Sequence, residues 1–478
     1  MEIRTAAARK VRGAATRSYY RNDCIGALSF ATALALACAL CYQANALEVG
    51  KFLPGNASMS AKARYDSVKA VQALKRAIDD PELQLKVTAA LTNVKNGFDI
   101  CQSALYRCNS ATGVIEEAVI SGMRGGTIKW NEFPESVKRI RITGSRLSQP
   151  LVLSSLPENL QEFMATNVEW QSNSILQRWP SGESLPGDGP APQLRVFQCD
   201  ECALVRADVT LSAPQVAALR VLSLSGNPNL LVDLRNLPRT LESLTVSKTK
   251  LVQSTVKEAL EAAPVSLSLL NISFTDITFA LEMLSSASAQ LEALDVSGLR
   301  SGSPGSLLPA VPLPLACSES GFNPRELYFR TCGLIGFLPD LRRCTKLRVL
   351  DLSHNFLSGA ALAQLPEAMK QLSLSHNTIR SSLHTDALPR SLLHLDLSGN
   401  EFTGSFNLSG LPQQLQYLDI SHNRFNGTLN LTRLPESVKF VYIQYNSFSG
   451  AVDLVDIPLG IRFIMVHHND WDYHLPAL

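Results

Sequence analysis

A repeat solenoid of the α/β class is what this sequence predicts, and three observations predict it. Residues 395–463 carry one pattern three times: LDLSGNEFTGSFNLSGLPQQLQY from Leu395, LDISHNRFNGTLNLTRLPESVKF from Leu418 and VYIQYNSFSGAVDLVDIPLGIRF from Val441, each 23 residues long. Asparagine recurs at Asn355, Asn377, Asn400, Asn423, Asn446 and Asn469, at intervals of 22, 23, 23, 23 and 23. The 478 residues are 45% hydrophobic and 18% charged, enough apolar surface for a large core without disorder. A stack of short units buries that surface between neighbours, since no single unit closes over its own apolar face.

Each element of the unit has a local reason. Leu395 and Leu397 are two apart, so a short strand turns both toward the core and leaves Asp396 and Ser398 on the surface. Asn400 falls where the strand must turn, and its amide can satisfy backbone groups that the coil would otherwise bury unpaired. Phe402 re-enters the core and Gly404 permits a tight backbone, while the alternation of Phe406 and Leu408 predicts a second short strand on the flank. Pro412 blocks a long helix. The aligned units read Leu-x-Leu-x-x-Asn-x-Phe-x-Gly, the pattern of a leucine-rich repeat. Upstream the hydrophobic frame persists with other residues in the Asn slot: Ser145, Val168, Cys202, Asn227, Thr249, Thr275, Leu299 and Cys332, preceded by a unit around Gly122. The expectation is a superhelix of about fifteen units, each about 22–26 residues, over 115–478.

The N-terminal segments differ. Residues 1–46 read as a signal peptide or a signal anchor: Arg4, Arg9, Lys10, Arg12, Arg17 and Arg21 precede an uncharged run from Ile25 to Tyr42, and Ala44-Asn45-Ala46 offers a small-residue cleavage pattern. A cleaved leader, an uncleaved membrane tether and an organellar presequence all remain open. Net charge is +2 overall, but the first 46 residues contribute +4, so no basic footprint for nucleic acid survives in the remainder. Residues 47–114 are expected to form a helical cap, with Val68, Val71, Leu74 and Ile78 on one stripe, Asp80-Pro81 opening a second helix, and Leu83, Val87, Leu91 and Val94 inward. Pairing of Cys101 with Cys108 would staple that cap to the first repeat. Pro/Gly/Ser-rich stretches near 171–192 and 300–325 interrupt the period as loops.

With N-x-F-x-G and the LP-x-x-L joint in view, the repeats resemble the plant-type leucine-rich repeat and the secreted and surface repeat proteins of protozoa, including kinetoplastid surface antigens. The resemblance spans about residues 60–478 and implies a helical cap ending in a cysteine pair, as Cys101, Cys108 and Ile120–Ile128 are placed to form. It implies a binding scaffold and leaves the ligand open.

Several residues tempt a chemical reading. Cys199 and Cys202 form a C-x-x-C, but the repeat frame puts Cys199 at an inward position and Cys202 in the Asn slot, as core thiols. Cys332 sits in the same slot, while Cys317 and Cys344 flank the second loop and either pair or stay free. His354, His376, His422 and His468 precede the slot asparagine and would stack as a column, read as solvated surface because nothing completes a metal set. Asp396 and Asp419 should stand one strand spacing apart, and are read as variable strand positions rather than as an acidic catalytic pair. With no nucleophile, base and orienter in sight, neither an enzyme nor a bound cofactor or metal is expected.

In the secretory pathway, five N-x-[ST] sequons at Asn56, Asn271, Asn407, Asn426 and Asn430 are candidate glycosylation sites, Asn407 and Asn430 on equivalent points of the second strand. Counted from the slot, the outward positions of the last units carry Tyr417 and His422, then Phe440, Tyr442 and Tyr445, then Phe463, Met465, His467 and His468. Tyr417, Phe440 and Phe463 share one column and should form a ladder of rings, the candidate ligand site. The functional expectation is a secreted or membrane-tethered binding protein whose concave sheet takes a protein, peptide or glycan. The alternative is a structural coat or adhesion protein that self-associates.

Overall fold

The computed structural model describes residues 61–95, 101, 103–109, 114–151, 156–171, 194–204, 218–234, 238–252, 256, 266–277, 290–299, 317, 321–452 and 457–472. They fall into two compact units, Asn56–Met369 and, grouped with the first 55 residues, Lys370–Leu478. The leader at 1–46, Asn56, the side chains of Leu91 and Val94, and most of the two loops lie outside the described residues. No helix among the described residues is long and apolar enough to cross a membrane.

The first unit opens with helices α1 (Ala61–Ala77) and α2 (Pro81–Lys95). Val71, Leu74, Ile78, Leu83 and Val87 are buried along their apolar stripes. Asp80, 2% exposed, fixes the corner between them. Its Oδ1 accepts from Leu83 N at 2.8 Å, capping α2, and its Oδ2 accepts from Arg124 N at 3.0 Å, tying the helix start to the first coil. Gly126 lies against this corner with φ +83°, and a Cβ there would stand 1.6 Å from the Asp79 carbonyl oxygen. Cys101 and Cys108 are disulfide-bonded with Cα atoms 5.3 Å apart, where Tyr106–Cys108 pairs antiparallel with Ile115–Ser121. From there each coil adds one parallel strand: Arg139–Arg146, Glu162–Glu169, Val196–Asp200, and onward to Val349–Asp351. Cys317 and Cys344 form a second bridge, 5.0 Å between Cα atoms.

The second unit has the same build in its most regular form. Gln371–Ser373, His394–Asp396, Tyr417–Asp419, Phe440–Tyr442 and Phe463–Met465 pair in parallel without a shift of register. The central residues of the first four, Leu372, Leu395, Leu418 and Val441, are fully buried, and Ile464 of the fifth is half-buried. Behind them Phe402, Phe425, Phe448 and Trp471 stack at centroid distances of 5.8, 6.2 and 6.1 Å. Both units are therefore stretches of β-solenoid, each coil sealed by the next.

The flank departs from the sequence expectation. The second strand comes earlier than the Phe406–Leu408 alternation suggests, at Thr403–Ser405, Arg424–Thr428, Ser447–Gly450 and Asp470–Trp471. Leu408–Gly410 and Leu431–Arg433 are 3-10 turns. Asn407 and Asn430 cap them, each Oδ1 accepting from the N–H two residues on, so these asparagines are caps and not strand residues.

The slot asparagines form a ladder. Asn423 Nδ2 donates to Leu397 O of the preceding coil at 2.9 Å and to Ile420 O of its own at 3.2 Å, while its Oδ1 accepts from Phe402 N at 3.0 Å. Asn227, Asn355, Asn400, Asn446 and Asn469 make the same kinds of bond. The residue before each slot pays for the turn in backbone strain: His376, His422, Tyr445 and His468 have φ between +53° and +58°.

Candidate functional site: a ring-lined sheet face

The ladder of rings stands where the register puts it. Tyr417 pairs with Phe440 and Phe440 with Phe463, and the column begins one coil earlier with His394, which the sequence reading missed. His394 stacks on Tyr417 at 4.1 Å and 9° between planes. Its position six residues before Asn400, the place that Tyr417 holds before Asn423, was the available signal.

Next to this column runs a second, made of Asp396, Asp419, Tyr442 and Met465. Tyr442 interlocks the two, 5.5 Å from Tyr417 and 5.4 Å from Phe463. A third column lies at the left-handed turn, where Tyr445 is stacked between His422 at 4.3 Å and His468 at 4.2 Å. His467 meets Tyr445 edge-on at 5.5 Å, and its Nδ1 lies 2.6 Å from that of His468. Tyr445 and Phe463 remain 42% and 41% exposed, while Tyr417, Phe440, Tyr442, Met465 and His467 are half-buried. The histidine column is thus partly a ring stack and not simply a solvated edge.

The two carboxylates belong to the same face. Asp419 Oδ1 accepts from Ser421 N at 2.9 Å and Ser421 Oγ at 2.6 Å, and Oδ2 accepts from the Tyr417 hydroxyl at 3.4 Å. Asp396 Oδ1 is held likewise by Ser398 N and Oγ. Ser398 and Ser421 are buried, which corrects the surface position expected for Ser398: their hydroxyls fold back onto the carboxylates. Burial, opposed by these hydrogen bonds and reinforced by Asp396, raises the Asp419 carboxyl above its ordinary 3.8. Burial, then the neighbouring Asp419 and Asp396, also raises the Tyr417 phenol.

The other candidates resolve separately. Cys199, Cys202 and Cys332 are free thiols in the core, and burial pushes Cys332 up to about 12 and Cys199 well above its usual range. Asn271 is 1% exposed and its Oδ1 accepts from Ser273 N and Oγ, so a sugar has no access and the sequon reading is corrected there. Asn407, Asn426 and Asn430 are exposed.

Two family models match the chain. One, described as Leucine Rich Repeat, covers residues 414–435, and another, described as Leucine Rich repeat, covers 343–362 and 389–405. Leucine-rich repeats are therefore present in both units. No curated protein matches. Similar solved structures include the LRR ectodomain of the Arabidopsis receptor kinase HAESA, in complex with an N-terminally extended IDA peptide hormone ligand, at 16% identity, 86% of this chain, 78% of that one and a TM-score of 0.47. An LRR protein of Leptospira interrogans is similar at 19% identity, 66% of this chain, 74% of its own and 0.45. The functional domain of InlJ from Listeria monocytogenes stands at 16%, 70%, 64% and 0.47.

Proposed function

We propose that this chain is a leucine-rich repeat binding protein that recognises a protein, peptide or glycan with its concave sheet. The reading includes a solenoid of about fifteen units behind a helical N-terminal cap, of the plant-type or protozoan surface-antigen class. It also includes export through the secretory pathway, to the medium or to a membrane held by the N-terminal apolar segment. Two disulfides fit such an oxidising compartment, and sugars at Asn407, Asn426 and Asn430 would leave the ring-lined face open. The single observation that carries the binding reading is the run of rings along the sheet face and its adjoining turn, with Tyr445 and Phe463 as its exposed large apolar side chains. Aromatic side chains give large contact area for little entropy, and they dominate the energetic centres of interfaces.

The test is binding of the full chain to peptide and glycan arrays. A Tyr442→Ala, Tyr445→Ala double variant that keeps its melting temperature and loses binding supports docking on this face. Unchanged binding, or early unfolding of the variant, makes the rings a structural cap. Assembly beyond a monomer by light scattering under non-reducing conditions would favour the coat or adhesion alternative.

A further inference from the structure

The first unit holds a ring, a carboxylate and a guanidinium together on its sheet face, and the second holds a ring and a carboxylate. Tyr328 and Asp351 lie in register on neighbouring strands, each four residues before its slot. Arg330, two residues before the slot, joins them: its Cζ is 5.9 Å from the centroid of the Tyr328 ring, and its Nε donates to Asp351. Ring face, carboxylate and guanidinium satisfy one another on the sheet face.

In the second unit a carboxylate and a ring stand in the same register but in the opposite order, Asp419 on the earlier strand and Tyr442 on the later one, with Asp396 on the strand before Asp419. The residues two before the slot are Ser421 and Gln444, so no arginine closes the set. Ion pairs among this unit's described residues run from Glu401 to Arg380 and Arg424, and none reaches Asp396 or Asp419. Gln444 is 8% exposed, and its Oε1 has no hydrogen-bond partner among the described residues. A buried acceptor without a donor is costly, and alternation along the strand puts it on the face that carries Tyr442. The site thus offers carboxylates, an unused carbonyl and the neighbouring rings of Tyr417 and Tyr442 to something that brings many donors and a flat cationic surface. Arginine brings five donors in a planar fork and stacks on rings, whereas lysine brings a compact, strongly hydrated charge.

We propose that Asp419, Tyr442 and Gln444 form a receptor for an arginine side chain carried by a peptide ligand. The proposal rests on the binding function above and names the chemistry of the ligand.

Calorimetric titration of the full chain with acetyl-arginine amide and with acetyl-citrulline amide, its uncharged analogue, tests it. The arginine compound is expected to saturate, with the citrulline compound at least about tenfold weaker. Asp419→Asn keeps an acceptor for Ser421 and should weaken arginine binding by about tenfold or more at an unchanged melting temperature. Gln444→Arg places a cation two residues after Tyr442, as Arg330 stands to Tyr328 in the first unit, and should abolish binding by filling the site from within. Equal binding of the two compounds, no saturable signal, or parental affinity in a folded Asp419→Asn overturns the proposal. Should Asp419→Asn fail to fold, a folded Gln444→Arg that still binds the arginine amide overturns it alone. Array binding that needs Tyr442 and Tyr445 yet ignores competing arginine amide discards this inference and keeps the ring-lined docking face, while array binding indifferent to both tyrosines discards both this inference and that docking face.

Discussion

Asn400 reaches back across a whole coil to Leu374, its Nδ2 donating to the Leu374 carbonyl at 2.8 Å, and its Oδ1 accepts from Ile379 N at 3.1 Å. Substitution of Asn400 by Leu keeps the branched shape of the side chain and removes both bonds. Each buried backbone group left unpaired costs about 1–3 kcal/mol, so a clear drop in melting temperature is expected although no ligand is touched. An unchanged melting temperature would mean that the ladder is dispensable.

Cysteine in the slot is a weak substitute for asparagine. Cys332 Sγ donates to Val296 O at 3.2 Å, the bond across coils that Asn355 Nδ2 makes to Phe329 O at 2.7 Å. Cys332→Asn should therefore stabilise the first unit by about 1 kcal/mol, through a stronger donor and an added acceptor. Thermal melts of the single variant check the sign, and a loss of stability would show that the slot at 332 is too small for the amide.

The cysteines should divide cleanly under alkylation. Among the seven cysteines after residue 46, neither the bridged pairs nor the core thiols Cys199, Cys202 and Cys332 should react in native, non-reduced protein, and those three thiols alone should label after unfolding. Serine at both Cys317 and Cys344 opens a loop 27 residues apart in sequence, a contribution of about 3–4 kcal/mol by chain entropy. Faster amide exchange around residues 322–344 is the readout, and native-state labelling of Cys332 would contradict its burial.

Acid should act on the histidine stack. Burial, with His376, His467 and His468 close by, holds His422 below its ordinary 6.5. A base with a depressed folded pKa contributes stability that is present above about pH 6.5 and lost as pH falls toward the folded value, because the unfolded chain binds the proton first. His422→Asn, tolerated at φ +53°, should flatten the fall in melting temperature between about pH 7.5 and about pH 5. Parallel pH profiles for parent and variant would place the sensitivity elsewhere.

Period, polarity and column were legible in the amino-acid order because each depends on residues close in the chain. Alternation set Leu395 and Leu397 inward, the 23-residue spacing carried Asn400 to Asn423, and equal spacing forced Tyr417, Phe440 and Phe463 into register. What the sequence could not decide depends on how closely neighbouring coils approach. His394 became the first rung only by stacking on Tyr417, and Tyr445 became the centre of a histidine stack through a left-handed turn. Asn407 left the flank strand because capping a 3-10 turn satisfies Ser409 N, a local competition that periodicity does not register. Asn271 lost its access to solvent in the packing of adjacent coils, and the Gln444 Oε1 is buried without a donor among the described residues. Desolvation and contact are properties of neighbours in space, and in a stacked coil those neighbours lie about two dozen residues away.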